Sequence, residues 1–270
     1  MRFGKRLADA VSARGPLCVG IDPHPGLLDA WGLPRDPSGL ERFAMACVAG
    51  FAGEAAVVKP QSAFFEGYGS AGVAVLERTI ACCREAGALV LLDVKRGDIG
   101  STMTAYAHAY LGAGSLLAAD AVTLSPYLGF GSLAPAIDLA RHTGRGVFVL
   151  ALTSNPEGAD VQRAGTGGST IAQSIVDAAA RCNAGVEPYG DVGLVIGATV
   201  GETGLDLAAL NGPILAPGFG AQGATVADLR KVFGPALHGV LPASSRDILK
   251  HGPDAGALRN AVRAVNDSLS

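Results

Sequence analysis

The sequence predicts an α/β fold, a (β/α)8 TIM barrel, on three observations. Eight short apolar runs recur along the 270 residues. Longer helix-like stretches separate them. The runs are continuously apolar, as in parallel strands covered on both faces, and do not alternate. Barrels of this kind commonly reach about 250 residues as one domain, so residues 1–270 are read as a single barrel domain. A doubly wound open sheet fits less well, because no GxGxxG opens the first strand-to-helix turn.

The elements follow in order. "MRFGKRLADAVSARG" reads as an amphipathic helix with no signal-peptide core. The strands are expected at "LCVGID" (17–22), "AAVVKP" (55–60), "ALVLLDVK" (88–95) and "DAVTLS" (120–125), then at "GVFVLALT" (146–153), "VGLVIGAT" (192–199), "PILAPG" (213–218) and "HGVLPAS" (238–244). Helical patterns follow strand two ("GVAVLERTIACCREAGA"), three ("STMTAYAHAYLGAG"), four ("GSLAPAIDLARHTG") and five ("TIAQSIVDAAARCN"). "ATVADLRKVFG" is a further helix, ending at Gly234. The pattern is taken as strand-helix alternation repeated eight times. Residues 23–37 and 155–168 are long loops on the side where barrel enzymes keep their sites, and are candidates for a mobile cover.

Composition narrows the function. The chain is 49% hydrophobic and 17% charged, with a net charge of −3, which favours a large core and argues against nucleic acid or an anionic membrane as partner. The mean hydropathy of +0.33 invites a membrane reading. However, no apolar run reaches the about 20 residues a spanning helix needs, and the longest candidate is broken by Glu54. Five cysteines with no CxxC pair read as reduced thiols of a cytoplasmic protein.

Charge is scarce, yet it collects at the predicted strand ends. Asp22 ends strand one, Lys59 strand two, and Asp93 and Lys95 strand three, with Asp98 just beyond. Positions two apart on a strand share a face, so Asp93 and Lys95 should both face the barrel mouth, with Lys59 in reach of Asp93. Such a row either plugs the barrel top as an ion-pair cluster or is used in chemistry. After strands seven and eight, "PILAPGFGAQG" and "LPASSRDILK" place small residues, Gln222 and Arg246 where this fold builds its phosphate cradle. The plainer reading is a glycine turn beside a surface arginine. Ser154 could bond a polar ring edge; without a GxSxG elbow it is a poor nucleophile. The five histidines show neither triad context nor metal-ligand spacing.

"DVKRGDIGST", taken with "GID", "VVKP", "LTSNP", "PGFGAQG" and "SSRDI" in their order along the chain, resembles the orotidine 5′-phosphate decarboxylase family. The loop after strand one, "KPQSAFFE" and "LTSNPEG" resemble its mycobacterial-type (type 2) branch. The resemblance implies decarboxylation of orotidine 5′-monophosphate (OMP) to UMP and CO2, without metal or cofactor, in a cytoplasmic homodimer. It implies that Asp22 binds the ribose hydroxyls, that Lys59 binds ribose and holds Asp93, and that Asp93 sits beside the substrate carboxylate. Lys95 would be the proton donor. Asp98 and Thr102 would reach into the partner subunit's site, Ser154 would meet the pyrimidine amide edge, and Pro217 would pack near the ring. Gln222 and Arg246 would hold the phosphate. Arg96 and Gly97 receive no role.

A metal-dependent sugar-phosphate decarboxylase or synthase of the same barrel group would need an acidic ligand where Lys59 stands. A Schiff-base aldolase through Lys95 is disfavoured, because a lysine flanked by carboxylates is a poor nucleophile. A non-catalytic nucleotide sensor would need neither Asp93 nor Lys95.

Overall fold

The computed structural model describes residues 1–220 and 223–269. Eight parallel strands close into a barrel in chain order: β1 (Cys18–Ile21), β2 (Val57–Pro60), β3 (Leu89–Arg96), β4 (Ala121–Leu124), β5 (Gly146–Leu152), β6 (Val192–Ile196), β7 (Ile214–Pro217) and β8 (Val240–Ser244). β8 pairs with β1, Cys18 opposite Ala243. Seven strands lie within the runs expected for them, and β3 runs one residue further, to Arg96.

Alternation along the strands separates two cores. Cys18, Val57, Leu91, Ala121, Phe148, Val195, Leu215 and Leu241 point into the barrel. Val19, Val58, Val90, Leu92, Val122, Val147, Leu194 and Ile214 point out against the helices. Both sides are apolar, which is why the runs read as continuous.

The N-terminal helix Phe3–Arg14 stops the barrel from below. Phe3 meets Phe148 edge to face, with centroids 6.1 Å apart. A Cβ on Gly146 would lie 2.2 Å from the Phe3 ring, so glycine is required where the helix docks. Asp191 accepts from Arg2 Nε and the Gly4 amide, and Asp120 pairs with Arg6.

The helices expected after strands two to five and after strand seven are present, at Gly69–Glu85, Gly100–Leu111, Ala134–Thr143, Ile171–Asn183 and Val226–Phe233. The last opens on a capping box between Thr225 and Asp228. Two readings need correction. Eightfold alternation fails between β6 and β7, where residues 197–213 contain no helix. Gly201, Gly204 and Asn211 there adopt positive φ, which breaks any helical run; Leu205, Leu207 and Leu210 still cover the outer core. The long segments are also not bare loops. Pro25–Ala30 is helical, and a further helix, Pro37–Cys47, starts at Asp36, whose carboxylate accepts from the Ser38 and Gly39 amides. Residues 156–170 form two short helical turns and a hairpin of Gly165–Thr166 with Ser169–Thr170. Among the described residues, no helix is long and apolar enough to cross a membrane.

Candidate active site

The C-terminal ends of the strands surround a cavity of about 520 Å³, within the range that binds small molecules. Its two sides differ. β1 to β4 contribute Asp22, Lys59, Asp93, Lys95 and Thr123, whereas β5 to β8 contribute the mainly apolar set Leu150, Val195, Leu215, Pro217 and Ala243, with Ser244 at the end of β8.

On the polar side the charges form one alternating row. Lys59 Nζ lies 3.9 Å from Asp22 Oδ1 and 3.3 Å from Asp93 Oδ2, and Lys95 Nζ donates to Asp93 Oδ1 across 2.6 Å. Lys59 and Asp93 are buried, while Lys95 is exposed to the cavity. Burial alone would pull Lys59 toward its neutral form; Asp22 and Asp93 reverse this and hold it above its ordinary value. Burial likewise disfavours the Asp93 carboxylate, but Lys59, Lys95 and the Thr123 hydroxyl bring its pKa down to about 2. Lys59 and Asp93 therefore stay charged although both are buried.

The backbone at Lys95 departs from a regular strand. β3 pairs with β4 at Leu92 and Val122, then resumes at Arg96 and Leu124, so three residues of β3 oppose Thr123 alone. Lys95 has φ +46°, a left-handed conformation costing about 1 kcal/mol or more for a residue with a Cβ.

The rim beyond β7 and β8 is where the sequence places a phosphate cradle. Arg246 is exposed and begins the short helix Arg246–Leu249 beside Ser244 and Ser245. Gly218, Gly220 and Gly223 have positive φ, and a Cβ on Gly220 would lie 2.2 Å from Asp247 Oδ2. Gln222 lies outside the described residues. Among those described, the buried side-chain polar atoms without a hydrogen-bond partner are Asp22 Oδ1, Ser244 Oγ, Ser245 Oγ and Arg145 Nε. The first three belong to residues lining this cavity.

Ser154 and Pro217 line the cavity as expected. The segment after Ser154 is knitted together: the Thr153 amide donates to Gln162 Oε1, and Gln162 Nε2 donates to Thr153 Oγ1. Asp98 is half-buried, Thr102 is exposed, and neither lines the cavity of its own chain. They flank Ile99, which is 62% exposed.

Sequence reasoning missed several lining residues. Gln61 accepts from Lys59 Nζ at 3.2 Å. His24, set aside with the other histidines, lines the cavity with its ring 4.2 Å from that of Phe64. Thr123 bonds Asp93. Arg96 and Gly97 also have work. Arg96 pairs with Glu66 and bonds Tyr110, and a Cβ on Gly97 would lie 2.2 Å from the Ser125 carbonyl. The KPQ sequence at a strand end pointed toward Gln61; no comparable pattern marked Thr123.

A closed parallel barrel with alternating acids and bases on one wall, an apolar wall opposite and an arginine-serine cradle at the rim defines an enzyme for a small phosphorylated substrate. The chain belongs to the orotidine 5′-phosphate decarboxylase / HUMPS family, whose model matches residues 15–261. It is 66% identical over 264 residues to orotidine 5′-phosphate decarboxylase of Salinispora arenicola, covering 97% of this chain and 95% of the relative. The Streptomyces coelicolor enzyme of the same name is 58% identical over 261 residues, covering 96% and 94%. Among solved structures, a Streptomyces avermitilis protein superposes with a TM-score of 0.97 at 56% identity, covering 99% of this chain and 94% of that one. Leishmania donovani OMP decarboxylase gives 0.75 at 28% identity, covering 99% of each chain.

Proposed function

We propose that Lys95 carries the reaction of this chain, the decarboxylation of OMP to UMP and CO2 that completes UMP biosynthesis. The observation that carries the proposal is the row Asp22–Lys59–Asp93–Lys95 facing an apolar wall. Loss of CO2 leaves the bonding electron pair on C6 of the pyrimidine, where no conventional electron sink exists. The Lys95 ammonium stabilises that pair and then gives C6 its proton. Asp93 faces the substrate carboxylate, and their repulsion is relieved as CO2 departs. Water recharges Lys95 before the next turnover.

The remaining residues orient the substrate. Asp22 Oδ1 is a buried acceptor without a donor, suited to a ribose hydroxyl. Lys59 offsets the mutual repulsion of Asp22 and Asp93 while bonding ribose. Its ammonium already bridges the two carboxylates, which weighs against chemistry through a divalent ion at that point. Pro217 packs near the ring, Ser154 meets the amide edge, and Arg246 with Gln222 holds the phosphate. Phosphate binding, remote from the breaking bond, supplies energy to orient the ring. Asp98 and Thr102, outside their own cavity, complete the site of a second subunit in a homodimer.

The test is an ultraviolet assay with OMP in EDTA and no added cofactor. Loss of substrate absorbance with stoichiometric UMP is expected; turnover that depends on added Mg2+ would overturn the mechanism.

A further inference from the structure

We infer that Thr123 is the positioning residue of the Asp93–Lys95 pair, an inference that rests on Lys95 being the proton donor. Where β3 bulges, the amides of Val94 and Lys95 fall in the gap of the β3–β4 register between Leu92 and Arg96. Both donate instead to Thr123 Oγ1, at 3.0 and 2.9 Å. The same hydroxyl donates to Asp93 Oδ1 at 2.7 Å. A threonine hydroxyl has one proton and two lone pairs, and all three are used on residues 93–95.

The oxygen that receives the Thr123 proton also receives Lys95 Nζ, at 2.6 Å. Thr123 therefore fixes both ends of the pair: the left-handed backbone from which Lys95 projects and the carboxylate that orients its ammonium. Thr123 is 1% exposed, so water does not readily replace its hydroxyl. Removing the hydroxyl takes the acceptor from the buried Val94 amide and the part-buried Lys95 amide at a strained residue, and the bulge has to shift. A proton donor displaced by a fraction of an ångström loses rate while the substrate still binds.

The experiment compares Thr123→Val, Thr123→Ser and Lys95→Ala for kcat, KM and UMP affinity. Thr123→Val keeps the shape and removes the hydroxyl. It is expected to lower kcat by about 100-fold while KM and UMP affinity stay within about threefold. Thr123→Ser keeps the hydroxyl and is expected to remain within about threefold of the unmodified enzyme in kcat. A Thr123→Val enzyme with near-normal kcat, or a Thr123→Ser enzyme as slow as the valine variant, overturns the inference. If Thr123→Val does not fold, Thr123→Cys serves, because a thiol is a weak donor and acceptor. Its kcat is expected at least about tenfold below that of Thr123→Ser, and equality with Ser overturns the inference. Lys95→Ala separates the two readings: retained turnover there removes Lys95 as donor, whereas an inert Lys95→Ala beside a fully active Thr123→Val removes only the role of Thr123.

Discussion

Lys95 donates from Nζ to Asp93 Oδ1 across 2.6 Å, and it does so from a left-handed backbone. On a regular strand the two side chains would project side by side. The bulge after Leu92 instead turns Lys95 so that its ammonium lies over the carboxylate and faces the cavity. Strain of this kind persists only where surrounding contacts impose it, and here β4 does so.

Arg246 is expected to act on the phosphate alone. Arg246→Ala removes charge-assisted hydrogen bonds together worth about 3 kcal/mol, so kcat/KM for OMP should fall by about 100-fold. Orotidine, which lacks the phosphate, should lose less than about threefold. Equal losses for both substrates would count against the assignment.

Stability should depend on pH through the charged row. The Asp93 carboxyl is held at about 2, below its ordinary 3.8. Its contribution is therefore present above pH 3.8 and is lost as pH falls toward 2, at about 2 kcal/mol in all. Lys59 has the opposite sign: raised above its ordinary 10.5, it stabilises up to that pH and loses its contribution only as pH rises further. Urea midpoints from pH 5 to pH 2 should show a steeper acid decline for the unmodified chain than for Asp93→Asn. Parallel declines would contradict the assignment.

Gly97 is expected to be a packing requirement. The Cβ of Gly97→Ala would lie 2.2 Å from the Ser125 carbonyl oxygen, forcing strand ends β3 and β4 apart. A loss of about 1–3 kcal/mol in unfolding free energy is expected, with a fall in kcat as the bulge moves. An unchanged denaturation midpoint would show that the loop yields freely.

The role given to Asp98 and Thr102 requires two chains. Lys95→Ala and Asp98→Ala homodimers should each be nearly inactive. After subunit exchange, half of the dimers are mixed and each has one intact site, so activity should recover to about a quarter of the unmodified level. No recovery after demonstrated exchange would place Asp98 in its own chain's site.

Much of this was legible in the residues. The eight runs became the eight strands because both strand faces are buried. The period of two anticipated that Asp93 and Lys95 face the barrel mouth, and the neighbouring strand set Lys59 in reach of Asp93. The bulge was not legible, since alternation assumes regular pairing and nothing in "DVKRGD" marks a register shift. Thr123 was hidden for a related reason: a β-branched residue inside "DAVTLS" reads as ordinary strand, and only the structure shows where its hydroxyl bonds. The helix missing between β6 and β7 was masked by extending a pattern seen elsewhere, although the glycines there argued against it.

The most direct test of the central claim is the turnover of OMP by Lys95→Ala beside the unmodified chain, in EDTA, with UMP binding as a check on the site. A proton donor at Lys95 requires a loss of kcat of at least about a thousandfold, with UMP affinity and circular dichroism nearly unchanged. Turnover within about tenfold of normal by the folded variant would contradict it and remove Lys95 as the proton donor.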